Sequence, residues 1–199
     1  MPPMITTPSS TARSSPAIPP MNKEVLMNNP FIETMLSRRS VKSFTDALIS
    51  EEDLNTILTC GQYAPTGTGQ QNYRLVAIRD RAVIDEMIAI HNTVSSKPGD
   101  PFYGAPTVVV VFETDASATP VQNASCIIDH MLLAAHGLNI GGCWINGVVG
   151  IFQTEAGKAL QKRLGVSEEY FAVGSAALGE SAAPKRTPNE RENTIIRIG

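Results

Sequence analysis

In the stretch SEEDLNTILTCG, Leu54, Ile57 and Leu58 recur at the i, i+3, i+4 spacing of one helix face, Ser50 and Asp53 stand at capping-box spacing, and Gly61 reads as the stop. Ahead of it, FIETMLSRR puts Phe31, Met35 and Leu36 on one face, so a short helix delivers a basic cluster at its C-terminal end. YRLVAIR is rich in β-formers and ends at Asp80, an N-cap for RAVIDEMIAIH, where Val83, Ile84, Met87 and Ile88 form an apolar stripe. TVVVVF, after Pro106, is a continuous β-branched run that suits a central strand covered on both faces. The longest helical pattern runs from about Val121 to His136 and stops at Gly137; CWI follows as a short buried run between glycines. Next come a helix over TEAGKALQKRLG between Thr154 and Gly165, a small-residue strand FAVGSAALG, and a last apolar run, TIIRI. Helices and strands mix without βαβ alternation, which predicts an α+β fold with a mixed sheet.

Composition narrows the picture. The length of 199 residues fits one domain, over residues 29–199, preceded by a Pro/Ser/Thr-rich stretch, residues 1–28, that reads as a disordered tail. A net charge of −3 gives no general attraction to nucleic acid or to an anionic membrane. No uninterrupted apolar run reaches membrane-spanning length. Cys60, Cys126 and Cys143 form neither a disulfide framework nor a zinc ribbon, which fits a soluble protein of a reducing, cytoplasmic compartment.

Hydrolytic chemistry has no visible machinery: there is no G-x-S-x-G elbow, and His91, His130 and His136 lack metal-site spacing. In SRRSVKSF, Arg38, Arg39 and Lys42 crowd around Ser40. Cations at a helix C-terminus answer its dipole, but an arginine fork, a hydroxyl and a lysine together also suit a phosphate dianion. A second pair, Lys185-Arg186, stands in APKRTP near the other end. TGTGQQN precedes a strand and lacks the third glycine of a dinucleotide fingerprint; it is either a glycine turn or a loop that a planar ligand can approach. GGCWING has the same two readings. Phe102 and Tyr103 suit a pocket rim or a loop packed under the sheet, and Cys143 reads as core because no cation is evident near it.

Taken in order, these segments resemble the FMN-dependent nitroreductase family from about Phe31 to the C-terminus. The carriers are SRRSVKSF, APTGTGQQNYRLVAI, YGAPTVVVVF, MLLAAHGLNIGGCWING and ALGESAAPKRTP. The resemblance implies a mixed, largely antiparallel central sheet flanked by helices, and a homodimer with FMN sites at the subunit interface. It implies that Arg38, Arg39 and Ser40, helped by Lys185 or Arg186, meet the FMN phosphate and ribityl chain, and that Lys42 faces the flavin pyrimidine. It further implies that Asn146 and Gly147 offer backbone N–H groups to flavin N5, where the chemistry occurs. Pro65, Thr66, Gly67 and Gln71 are implied to complete the partner's site. Gly69 stands where many members have Asn, and QQNYR replaces Q-P-W. The implied activity passes electrons from NADH or NADPH through FMN to nitroaromatics, quinones or similar acceptors, with no catalytic side chain required. A flavin-binding sensor or storage protein, a dehalogenase of the same fold, and a basic-patch interaction protein without cofactor are the competing readings.

Overall fold

The computed structural model describes residues 29–184 together with Thr187, Arg191, Ile195, Ile196 and Ile198. The expected tail, residues 1–28, and the pair Lys185-Arg186 lie outside the described residues.

Among the described residues four strands form the sheet: β1 (Tyr73–Ile78), β2 (Thr107–Thr114), β3 (Gly141–Ile145) and β4 (Tyr170–Gly179), in the order β1-β2-β4-β3. All three pairings are antiparallel, and the parallel contribution is a single bridge between Ser40 and Gly142 beside β3. The TVVVVF run is central, as its composition predicts, and every residue of β2 is buried. Its pleat divides the core. Val108, Val110 and Phe112 pack with Ile84, Met87, Ile145 and Ile151 on one face, whereas Val109 and Val111 pack with Ile57, Ile127, Ile128 and Met131 on the other. Each such buried side chain contributes about 1.5–3 kcal/mol.

Six α-helices cover those faces among the described residues: α1 (Pro30–Ser37), α2 (Glu51–Gln62), α3 (Arg81–Val94), α4 (Pro120–Gly137), α5 (Val148–Gln153) and α6 (Glu155–Arg163). Ser50 caps α2 by accepting from the Asp53 N–H at 3.0 Å while donating to the Asp53 carboxylate at 2.7 Å. Asp80 and Thr154 cap α3 and α6 by accepting from the Ala82 and Gly157 N–H groups. One expectation is corrected and one helix is added. Gly61 does not stop α2, which runs on to Gln62; it is buried against α4, where a Cβ would stand 2.8 Å from Met131 Cγ. The stretch VVGIFQ forms α5, which its length of six residues leaves without a full periodic signature. The face of α1 forms as expected but is not covered by the other described residues: Phe31, Met35 and Leu36 are all exposed. No helix among the described residues is long and apolar enough to cross a membrane.

Beyond α1 the chain crosses the end of the sheet. The Val41 N–H donates to Gly142 O at 3.0 Å, Thr45 N–H to Glu180 O at 3.0 Å, and Ala182 N–H to Ser43 O at 3.0 Å. Two glycines make room for this crossing. A Cβ at Gly141 would lie 3.0 Å from both Gly179 O and Val41 Cγ2, and one at Gly179 would lie 2.7 Å from Pro106 Cδ and 3.2 Å from Phe44 Cδ1. Gly179→Ala is therefore expected to lose about 1–3 kcal/mol, since a proline ring and a buried phenylalanine must both yield. Gly61→Ala, which crowds the flexible Met131, touches Ile127 Cγ2 at an ordinary 3.5 Å and gains helix propensity, stays within about 1 kcal/mol of the parent. Urea denaturation of the two variants checks the contrast.

Candidate functional site

Arg38 ends α1 by turning to φ −55°, ψ 133°, while its N–H still donates to Thr34 O. The turn sets the next residues against β3 and the end of α4, where Ser37 Oγ lies 2.8 Å from His136 Nε2. The result is a cavity of about 120 Å³ lined by Arg38, Arg39, Ser40 and Lys42 on one side and by Leu132, Gly142, Ser181 and Pro184 on the other. SRRSVKSF is thus the wall of a concave site and not a solvated turn.

Its electrostatics are those of an anion site. Arg38 and Arg39 are half-buried, and Arg39 Nε is buried with no hydrogen-bond partner among the described residues. The other end of the same guanidinium donates to Arg38 O. Burial, followed by the charges of Arg191 and Arg38, pushes the Arg39 guanidinium below its usual pKa. Three arginines therefore share one neighbourhood, and a di-anionic group relieves both the repulsion and the unfilled donor. Arg191 was missed by sequence reasoning, because it stands alone in NERENTI, without a second cation or an element to place it.

Cys143 corrects one premise. Its thiol lies against Ser40 and feels the charges of Lys42 and Arg38, so cations are near it; burial outweighs them and the pKa is pushed up. It is core, as expected, for a different reason. The two aromatics before Gly104 also separate: Phe102 is fully buried, whereas Tyr103 is exposed with its ring 5.6 Å from Lys42 Nζ.

Asn146 and Gly147 follow β3, and Gly142, at the start of that strand, lines the basic cavity. At about 3.3 Å per residue they lie on the order of 13 Å further along. Asn146 lines a separate, larger cavity of about 1210 Å³ with Val149, Phe152 and Tyr170. Gly147 packs against the loop that carries Tyr103: a Cβ on it would meet Pro101 Cβ at 3.4 Å. One loop, Asp100–Gly104, thus borders both Lys42 and Gly147.

The segment Pro65–Gln71 is not brought to this site within the chain. Its 3-10 turn, Gly67–Gly69, is fastened to the first turn of α4: the Gly67 N–H donates to Asn123 Oδ1 at 2.8 Å, and Thr119 Oγ1 lies 3.0 Å from the same oxygen. The basic cavity touches Leu132 and His136 at the other end of that helix. Thirteen residues at about 1.5 Å each separate Asn123 from His136, roughly 20 Å. Pro65 and Gln71 are exposed, and Thr66 and Gly67 are half-buried.

The comparisons with known proteins agree with this architecture. The profile of the nitroreductase family matches residues 35–180. A protein of Archaeoglobus fulgidus provisionally named NADH dehydrogenase/NAD(P)H nitroreductase is 28% identical over 74% of this chain and 83% of its own length. An enzyme of Bacillus subtilis named FMN reductase (NADPH) is 27% identical over 61% of this chain, which spans 55% of that enzyme. Among solved structures, a nitroreductase with bound FMN from Bacteroides fragilis superposes with a TM-score of 0.80 at 28% identity, covering 86% of this chain and 100% of that one. With the match extending from α1 to the end of β4, the chain belongs to the nitroreductase family.

Proposed function

We infer that the protein is an FMN-dependent oxidoreductase that takes electrons from NADH or NADPH and delivers them to small electron-poor acceptors, with nitroaromatics and quinones as the class that fits. The observation that carries this reading is the arginine cluster: at a concave site, beside Arg38 and under the charge of Arg191, Arg39 Nε is buried with no partner among the described residues. These residues fit the phosphate of FMN, which is bound in the Bacteroides fragilis structure.

In this reading Arg38 and Arg39 hold the phosphate, Ser40 supports the ribityl chain, and Arg191 adds charge from the C-terminal segment. Lys185 and Arg186, outside the described residues, remain part of the proposed phosphate set. Lys42 stands beyond them at the pyrimidine edge, where its charge favours the reduced form, and the backbone at Asn146 and Gly147 faces N5. The redox chemistry itself, hydride acceptance from NAD(P)H and transfer to the acceptor, is what FMN supplies when bound. No side-chain acid or base is needed for it.

A homodimer is proposed as the working unit. The basic cavity is small against the ~300–1,000 Å³ of a typical small-molecule site, so FMN needs a further wall. Pro65, Thr66, Gly67 and Gln71 cannot reach it from the same chain along the roughly 20 Å of α4, which leaves a second copy to supply them. The uncovered Phe31, Met35 and Leu36 on α1, a helix with no buried residue, support a partner surface as well. A cytoplasmic location agrees with three free thiols.

The test is the visible spectrum of protein incubated with FMN, desalted and mixed anaerobically with NADH and separately with NADPH. A retained flavin band that bleaches is expected and identifies the donor. A band that stays oxidised favours a binding module, and protein that retains no flavin removes the site. Arg38→Ala and Arg39→Ala are each expected to weaken FMN binding about tenfold or more, the loss of a charge-assisted contact worth about 1.5–3 kcal/mol; titration by flavin fluorescence reads this directly. The flavin-loaded protein is expected to sediment as a dimer, and a loaded monomer contradicts the shared site.

A further inference from the structure

We propose that Tyr103 is a positioning residue that fixes the Lys42 ammonium and so sets how strongly the site favours reduced flavin; this rests on the placement of Lys42 at the flavin given above. Tyr103 has φ 58°, in the left-handed region that a bulky side chain with a Cβ rarely adopts. Nothing about the turn calls for a tyrosine there. Glycine or asparagine suits that backbone better, and Tyr103 is not a core residue, at 38% exposure.

The surroundings nevertheless hold the strained conformation firmly. Asp100 accepts from the Phe102 N–H at 2.7 Å through one carboxylate oxygen and from the Gly104 N–H at 2.6 Å through the other. The Ala105 N–H donates to Phe102 O at 3.1 Å, Gly104 takes φ 79°, and Phe102 is an anchor with 0% exposure. A conformation fixed this thoroughly, at an exposed residue, points to what the side chain does. Its ring lies 5.6 Å from Lys42 Nζ, within cation–π range, and among the described residues this is the contact that needs an aromatic side chain.

The chemistry follows from the mobility of lysine. Lys42 is exposed, and its flexible stem allows many positions for the charge. A cation stabilises charge developing on a neighbour far better when it is already in place than when it must be ordered during the reaction. The Asp100–Gly104 loop supplies that order through the Tyr103 ring and, through Pro101, also abuts Gly147. The two flavin-facing groups are therefore registered to each other by one rigid loop.

The experiment measures the two-electron midpoint potential of bound FMN by dye equilibration in the parent and in Tyr103→Phe, Tyr103→Leu, Tyr103→Gly and Lys42→Ala. Tyr103→Phe keeps the ring and is expected to match the parent. Tyr103→Leu and Tyr103→Gly are expected to lose about tenfold in preference for the reduced flavin, a fall of ~30 mV. Tyr103→Gly suits the φ 58° backbone, so its shift cannot be ascribed to a distorted loop. Lys42→Ala is expected to fall at least as far, and adding Tyr103→Leu to it is expected to change nothing further, because both act through one charge. A parent-like potential in Tyr103→Leu and Tyr103→Gly, with Lys42→Ala lowered, overturns the role of Tyr103 and leaves the placement of Lys42 standing. A parent-like potential in Lys42→Ala overturns both.

Discussion

The backbone from Ser40 to Thr45 crosses the end of the sheet in the space left by Gly141 and Gly179, and the arrangement of the site depends on that crossing. Hydrogen bonds to Gly142, Glu180 and Ala182 tie the segment to β3 and to the stretch that follows β4, so side chains from distant parts of the sequence meet at one place. Without the crossing, Arg38 and Arg39 would be an ordinary basic helix end. With it, they line a concavity with an arginine donor buried and unfilled. The cost of gathering like charges is met when an anion arrives, which is why the same geometry reads as a binding site.

The second constraint is the length of α4. Asn123 near its N-terminus holds the Gly67–Gly69 turn, and Leu132 and His136 towards its C-terminus help form the basic cavity. A rigid rod of this kind keeps the two sets of proposed flavin contacts apart in one chain, yet allows two antiparallel copies to present them to each other. In the proposed homodimer, two-fold symmetry would make two equivalent sites from one interface. The exposed apolar face of α1 is consistent with the same arrangement.

Much of this was legible in the sequence because local signals agreed with the fold. The β-branched run of β2, the caps at Ser50, Asp80 and Thr154, and the helix over residues 120–137 follow from spacing and capping chemistry alone. Gly61 misled because a glycine that permits close helix packing has the same letter as one that ends a helix. The helix α5 was too short to show a period. At the site, Arg38, Arg39 and Lys42 were visible as a cluster and Tyr103 as one of two candidates for a pocket rim, but the contact of Tyr103 with Lys42 and the part of Arg191 were not. Arg191 acts on Arg39 through charge from far along the sequence, and Tyr103 stands out only by a backbone angle and a ring contact that no spacing rule reveals.

The central claim is that one flavin site is built from the arginine wall of one chain and the Pro65–Gln71 loop of another. The most direct measurement mixes two defective chains: Arg39→Ala, which lacks the wall, and Gly67→Val, whose Cβ would meet Thr119 Oγ1 at 2.3 Å and so displaces the loop. Each homodimer alone is expected to retain little FMN. After unfolding and refolding together, statistical pairing in a two-fold dimer restores about one site in four, and bound flavin returns to that level. Bound flavin that stays at the level of the separate variants contradicts the shared site.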